Sequence, residues 1–380
     1  MLTLVENGEV FAPQRRGRMT VVLAGGRIER VARVDVRPLA DAFDCERLDA
    51  EGAYVVPGLI DPHVHLLGGS GEQGFATQTP EVLATELASA GITTVVGTLG
   101  TDTTTKTMPA LLAKVKALRE QGLSAYAWTG GYDARPLTGS IRDDIVLIEE
   151  ILGAGEIAIA DRRGVRFDAL SLATLASDCY VAGTLTRKAG VLHLHVGDDE
   201  RRLSILRDVL DHHAVDARTI YPTHVERNEE LMREAVALSR RGMFVDVDVF
   251  EEDLGRWVPF FRDEGGDLAR LTASSDAAIN SPRTLLEQIR ECVRDRILPL
   301  DEALALATRN TAAVLKLADN GAVAEGCRAN LLVLEKESLE VRHVVANGRV
   351  LVRNGEVVQR EPFLAESKRE IHLVGGKSHG

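Results

Sequence analysis

The 380-residue chain is poor in aromatic residues, 4% in all, and has four cysteines, Cys45, Cys179, Cys292 and Cys327. None of them sits in a CxxC pair. Scattered thiols argue against a disulfide framework or a cysteine-based zinc knuckle, and fit isolated buried thiols in a reducing compartment. Positive charge is in deficit: 45 Lys and Arg against 57 Asp and Glu give a formal net charge of −12. An acidic surface repels phosphate backbones, so no nucleic-acid partner is expected. No apolar run approaches the roughly 18 residues that a membrane span requires. The opening residues MLTLVENGEV carry acid early. They lack a basic stretch followed by an apolar one, so no signal peptide is expected. Solenoid-period repeats and low-complexity tracts are absent as well. What remains is globular arithmetic, 45% hydrophobic and 27% charged, and the expectation is a cytoplasmic protein with no membrane partner.

From Val55 onward, short apolar runs alternate with amphipathic stretches. The runs are VVPGLIDPHVH (55–65), ITTVVGTLG (92–100), LSAYAWTG (123–130), EIAIAD (156–161), VLHLHVGD (191–198), TIYPTHV (219–225), MFVDVDV (243–249) and LTASSD (271–276). Between them, segments such as 80–91, 108–122, 201–211 and 231–242 place apolar residues at helical spacing, and several end in Gly. Gly there suits a helix C-cap. Eight strand-like runs alternating with helices predict an α/β fold, either a (β/α)8 TIM-like barrel or an open doubly wound sheet. Residues 1–56 and 320–365 instead have the texture of short strands and turns, with hairpin signals at Gly25-Gly26, Asn347-Gly348 and Asn354-Gly355. These turn pairs suit two-residue hairpin loops. The expected organisation is a small β-sandwich domain from the two terminal segments, a barrel over 57–319 and a tail over 366–380.

The residues that can carry chemistry fall at the ends of those runs. His63 and His65 are spaced i, i+2, which on a strand puts both imidazoles on one face. His195 closes VLHLHV, His224 closes YPTHV, Asp276 closes TASSD and Glu156 opens EIAIAD. In a barrel the C-terminal ends of the strands form the catalytic face. Imidazoles and carboxylates gathered there are a natural ligand set for divalent metal. His193, two residues before His195, points the same way one layer deeper, and is read first as a supporting histidine.

This pattern resembles the amidohydrolase superfamily. The segments PGLIDPHVHLLGGSGEQG, VVGTLGTD, TGGY, ADRR, HVGD, PTHVERN and SSD narrow the resemblance to the isoaspartyl (β-aspartyl) dipeptidases, over roughly residues 1–360. HLLGGSGE with THVERN is the specific part. HxH alone would reach no further than the superfamily. The resemblance implies metal-dependent hydrolysis of the β-aspartyl peptide bond of a dipeptide by a metal-bridging hydroxide. It implies two divalent ions, zinc being the expected metal, one held by His63, His65 and Asp276 and the other by His195 and His224. Asp276 would double as the proton shuttle and Tyr132 would support the developing oxyanion. Glu72 matches the residue for the substrate ammonium. Arg163 and Arg227 match those for its carboxylates, and Thr101, Ser70 and Gly71 match supporting contacts. The implied partner is a small zwitterionic dipeptide, and the implied assembly a homo-oligomer.

Two positions depart from that pattern. The family bridges its metals with a carboxylated lysine, and the matching position here is Glu156, with no lysine between Lys116 and Lys188. A glutamate is already a carboxylate, so it is expected in the bridging place. Its arm is shorter, so the strand must move inward or bulge, which Ala154-Gly155 can permit. Asn280 stands where the family has a serine near the substrate carboxylate, which can alter the preferred substrate. The alternatives left open are another amide or cyclic-amide hydrolase, such as a dihydroorotase- or hydantoinase-like enzyme, and a metal-free barrel kept as a scaffold.

Overall fold

The computed structural model describes residues 2–69, 71–250 and 253–367. Its centre is a set of eight parallel strands: β1 (Leu59–Val64), β2 (Ile92–Gly97), β3 (Ser124–Gly130), β4 (Ile151–Ile159), β5 (Leu192–Val196), β6 (Ile220–Thr223), β7 (Val245–Asp248) and β8 (Leu271–Ser274). Strands β1 to β6 pair side by side in chain order, and β7 pairs with β8. Side chains stitch one seam, where Tyr221 Oη and Thr223 Oγ1 of β6 donate to Asp246 of β7 at 3.0 and 2.9 Å. The other seam is a parallel bridge from Val64, at the end of β1, to Ala277, just past β8. The strands thus curl round into a TIM-like barrel rather than an open sheet. All residues of these strands are buried. Both faces are covered, which is why the runs read as nearly continuous apolar segments.

Helices cover the outside, among them Met108–Glu120, Ala169–Thr186, Ser204–His212, Glu229–Ser239 and Thr284–Arg294. Several start on side-chain caps: Asp168 accepts from Ser171 N at 2.8 Å and Asn228 from Leu231 N at 2.9 Å. Each cap satisfies an amide that the first helical turn leaves without a partner.

The terminal segments join in one nine-stranded sheet. Tyr54–Pro57 from the N-terminal side pairs antiparallel with Leu331–Leu334 from the C-terminal side. Side chains such as Val5, Val21, Leu23, Leu48, Leu331 and Val333 make a core separate from that of the barrel. The sandwich expected from the sequence is thus a single continuous hydrogen-bonded sheet with its own apolar core. The apolar run at 55–65 divides at Gly58, between the terminal sheet and β1. A Cβ at Gly58 would lie 2.2 Å from Thr93 Oγ1, so the backbone passes too close to its neighbour for any side chain. Of the tail expected over 366–380, residues 368–380 lie outside the described residues.

Candidate active site

The barrel brings His63, His65, Glu156, His195, His224 and Asp276 to one end. His63 is the penultimate residue of β1, and His65 follows that strand directly. His224 and Asp276 each follow a strand in the left-handed backbone region, with φ of 61° and 48°. Few residue types adopt that conformation readily, and it turns each side chain back over the barrel mouth.

Glu156 lies at the centre. Its Oε2 is 3.5 Å from His63 Nε2, 3.1 Å from His195 Nδ1 and 3.7 Å from His224 Nε2, and its Oε1 is 3.4 Å from His65 Nε2. Asp276 Oδ1 is 3.3 Å from His63 Nε2 and 3.1 Å from His65 Nε2. The bulge that a short arm requires is present. The pairing of β5 with β4 passes from Leu192↔Ala154 to Leu194↔Ile157, so β4 carries an extra residue at this point. A Cβ on Gly155 would come within 2.7 Å of His193 Cβ, so this strand can approach only with glycine there.

The second ring nitrogens set the tautomers. His193 Nδ1 lies 2.9 Å from the Tyr221 carbonyl, to which it donates, leaving its Nε2 to accept from His63 Nδ1 at 2.8 Å. That arrangement aims the lone pair of His63 Nε2 at the cluster. Burial keeps His193 well below the usual imidazole range, and therefore neutral. It stacks on Trp128, with centroids 5.2 Å apart. His224 Nδ1 faces Asp248 Oδ2 at 2.5 Å, and His195 Nε2 faces Asp161 Oδ2 at 3.1 Å.

These groups fit divalent cations. His63 Nε2 and Asp276 Oδ1 are buried with no hydrogen-bond partner among the described residues. Ligand atoms of His63, His65 and Asp276 lie within 4.8 Å of one another, as do those of His63, Glu156 and His224, and those of His224, Asp248 and Asp276. Orphaned, converging imidazole and carboxylate atoms are what a zinc-type ion requires. Burial would raise the Glu156 carboxyl, but His63, His195 and His224 together hold it well below the usual carboxylate range. Burial likewise opposes charge on His224, yet Asp248 and Glu156 push it up to about 10. A bound cation would displace such protons. Burial, with Glu156 nearby, keeps the Tyr132 phenol well above its ordinary value. It therefore remains an O–H donor, 2.9 Å from His195 Nδ1.

A cavity of about 370 Å³ opens above the cluster, and Glu72, Thr101, Tyr132, Arg163 and Arg227 line it. Arg163 forks onto Asp161, with Nη2 at 2.6 Å and Nε at 2.9 Å, and reaches Glu72 Oε1 through Nη1 at 2.5 Å. The Glu72 side chain is 50% exposed, so it forms a rim rather than a buried counter-charge. Arg227 is anchored by Nε donating to Val196 O at 2.8 Å. Gly71 and Asn280 are not among the lining residues, and Asn280 Nδ2 donates to Val249 O at 3.3 Å. Ser70 lies outside the described residues. The sequence reading missed Asp161 and Asp248. The available signal was the aspartate at or near the end of the strand runs EIAIAD and MFVDVDV.

A model of the amidohydrolase family matches residues 54–171 and 212–351. The crystal structure of a β-aspartyl dipeptidase from Fervidobacterium islandicum AW-1 is 34% identical, covering 94% of this chain and 98% of that one at a TM-score of 0.88. The same enzyme in complex with the β-Asp-Leu dipeptide is 33% identical, covering 94% and 97%, also at a TM-score of 0.88. An adenine deaminase of Halalkalibacterium halodurans is 25% identical over 330 residues, 82% of this chain. That match takes in 51% of the deaminase, so the chain spans about half the length of the curated relatives it matches.

Proposed function

Since the chain belongs to the amidohydrolase family, we propose that it is a metallo-dipeptidase that hydrolyses the β-aspartyl bond of isoaspartyl dipeptides. One observation carries this reading: an acid and two guanidinium groups, Glu72, Arg163 and Arg227, line the same cavity as the imidazole–carboxylate cluster. A β-aspartyl dipeptide offers one ammonium and two carboxylates, groups that this acid and these two guanidinium groups can bind. A cyclic amide has no ammonium for Glu72, and adenine is a neutral ring with little use for two guanidinium groups. The dipeptide bound to the F. islandicum enzyme supports the same choice.

His63, His65 and Asp276 would hold one divalent ion and His195 and His224 a second, with Glu156 between them in place of a carboxylated lysine. Bound there, such ions would lower the pKa of a water and polarise the scissile carbonyl. Asp276 takes the proton of the attacking water and delivers it to the leaving amine. Tyr132, held as a neutral phenol, donates to the oxygen on which negative charge develops. Arg163 and Arg227 hold the carboxylates, and Glu72 meets the ammonium at the rim. Among the described residues no helix is long and apolar enough to cross a membrane.

The test couples metal analysis to a substrate panel: β-Asp-Leu, α-Asp-Leu, γ-Glu-Leu, dihydroorotate and adenine. Release of leucine from β-Asp-Leu alone is expected, with activity lost on chelation. Adenine deamination without dipeptide cleavage would move the assignment to the curated relatives. Protein that binds no divalent metal would overturn it altogether.

A further inference from the structure

Each of the four cluster histidines turns one ring nitrogen inward and the other outward, and what stands behind the outer nitrogen differs. Behind His195 is the carboxylate of Asp161, at 3.1 Å, and behind His224 that of Asp248, at 2.5 Å. Behind His63 is the neutral ring of His193, at 2.8 Å. The outer nitrogen of His65, Nδ1, is buried without a hydrogen-bond partner among the described residues. Arg163 Nη2 also reaches His195 Nε2, at 3.0 Å, so the Asp161 carboxylate there is shared with a guanidinium. One pair of histidines is therefore backed by two carboxylates and the other pair by none.

The inward side is unequal in the opposite sense. His63 and His65 have Asp276 Oδ1 in front of them at 3.3 and 3.1 Å, besides the Glu156 carboxylate. The carboxylate facing His195 and His224 together is Glu156, at 3.1 and 3.7 Å. A cation between His63 and His65 thus meets two carboxylates directly, while one between His195 and His224 depends on the shared glutamate.

We propose that Asp161 and Asp248 are positioning residues that compensate for this shortfall: they secure the metal position formed by His195 and His224, and removing either charge weakens that position alone. The inference rests on reading the cluster as a two-metal site. A carboxylate behind an imidazole fixes its tautomer, orients the ring and makes the inner nitrogen a better donor. Both carboxylates are built for that task. The Asp161 and Asp248 side chains are 3% and 8% exposed. Asp161 is clamped by Arg163 Nη2 at 2.6 Å, and Asp248 Oδ1 accepts from Ser274 Oγ at 2.9 Å.

The experiment is a metal titration of chelator-stripped full-length protein with Zn2+, read by competition with a chromophoric chelator and repeated with Co2+ for its visible spectrum. Asp248→Asn is the main variant, because asparagine keeps the shape and an acceptor oxygen for His224 while losing the charge. Wild type is expected to bind two equivalents. In Asp248→Asn one equivalent should weaken by about 10- to 100-fold, the usual effect of losing such a partner, and the other should hold. Asp161→Asn should weaken the same equivalent, with the same Co2+ band lost, and Asp276→Asn the opposite one. Thermal unfolding of the stripped variants checks that each is folded. Equal weakening of both equivalents, or of neither, would overturn the proposal while leaving the two-metal reading intact. Wild type that binds no metal would overturn both.

Discussion

Replacing Glu156 with glutamine removes the carboxylate closest to the whole cluster while keeping its size. The side chain is 1% exposed, and imidazole nitrogens of His63, His65, His195 and His224 lie 3.5, 3.4, 3.1 and 3.7 Å from its oxygens. Breaking a buried charge pair by deleting one partner costs about 3–5 kcal/mol. At about 1.4 kcal/mol per factor of ten, that is a loss of roughly 10² to 4 × 10³ in metal affinity. Both equivalents should weaken, since all four histidines face this residue, in contrast to the one-sided loss expected of Asp248→Asn. A glutamate needs no CO2 to become a carboxylate, so stripped wild type should regain full activity with zinc in CO2-depleted buffer, and bicarbonate should add nothing. The assay is zinc competition titration together with reactivation kinetics, with and without bicarbonate. Two equivalents bound undiminished by Glu156→Gln would refute the central role of this residue. Bicarbonate-dependent reactivation of the wild type would show that a carboxylated lysine supplies the bridge.

Three further outcomes are expected. Asp276→Asn should lower kcat on β-Asp-Leu by about 10²- to 10⁴-fold, the range for a lost acid–base group; retention of a tenth of wild-type kcat would place the base elsewhere. N-acetylated β-Asp-Leu should lose only about fivefold or less in kcat/KM, because the Glu72 rim is half exposed and an exposed charge pair is worth about 1 kcal/mol or less; a thousandfold loss would mean that the ammonium is read in a buried subsite. In the terminal sheet, burial and the charges of Arg342 and Arg353 press His343 down to about 4. Its folded pKa lies below its unfolded one, so the unfolded state binds more protons as pH falls from about 6.5 toward 4, and stability should drop across that window. His343→Gln should flatten this part of the Tm–pH curve, and an unchanged slope would acquit the residue.

The imidazole–carboxylate end of the barrel was legible because its signal is local. An HxH at a strand end fixes two ligands on one face whatever follows, and single histidines closing later strands can only converge if the strands close into a ring. The carboxylates behind those histidines were not legible, and the reason is physical. Asp246 and Asp248 share a face of β7, yet Asp246 is absorbed by hydroxyls, with Thr223 Oγ1 at 2.9 Å and Tyr221 Oη at 3.0 Å, whereas Asp248 meets His224. Period-two spacing cannot separate a structural acid from a functional one, since the difference lies in the neighbouring strands. The same limit governs the rim. Position by position, Gly71 and Asn280 inherit substrate contacts, but neither lines the cavity, and Asn280 spends its amide on Val249. Glu156 is the opposite case. The sequence shows a shorter arm where a longer one is usual and two small residues beside it, and the chain geometry then leaves one solution. On the two-metal reading proposed above, the strand must come to the cluster because the shorter side chain cannot. An extra residue in β4 and a glycine pressed against His193 are that solution. On that reading the short carboxylate and the bulge belong together, and filling Gly155 with a methyl group should disturb metal binding even though alanine donates nothing and removes nothing from the ligand set.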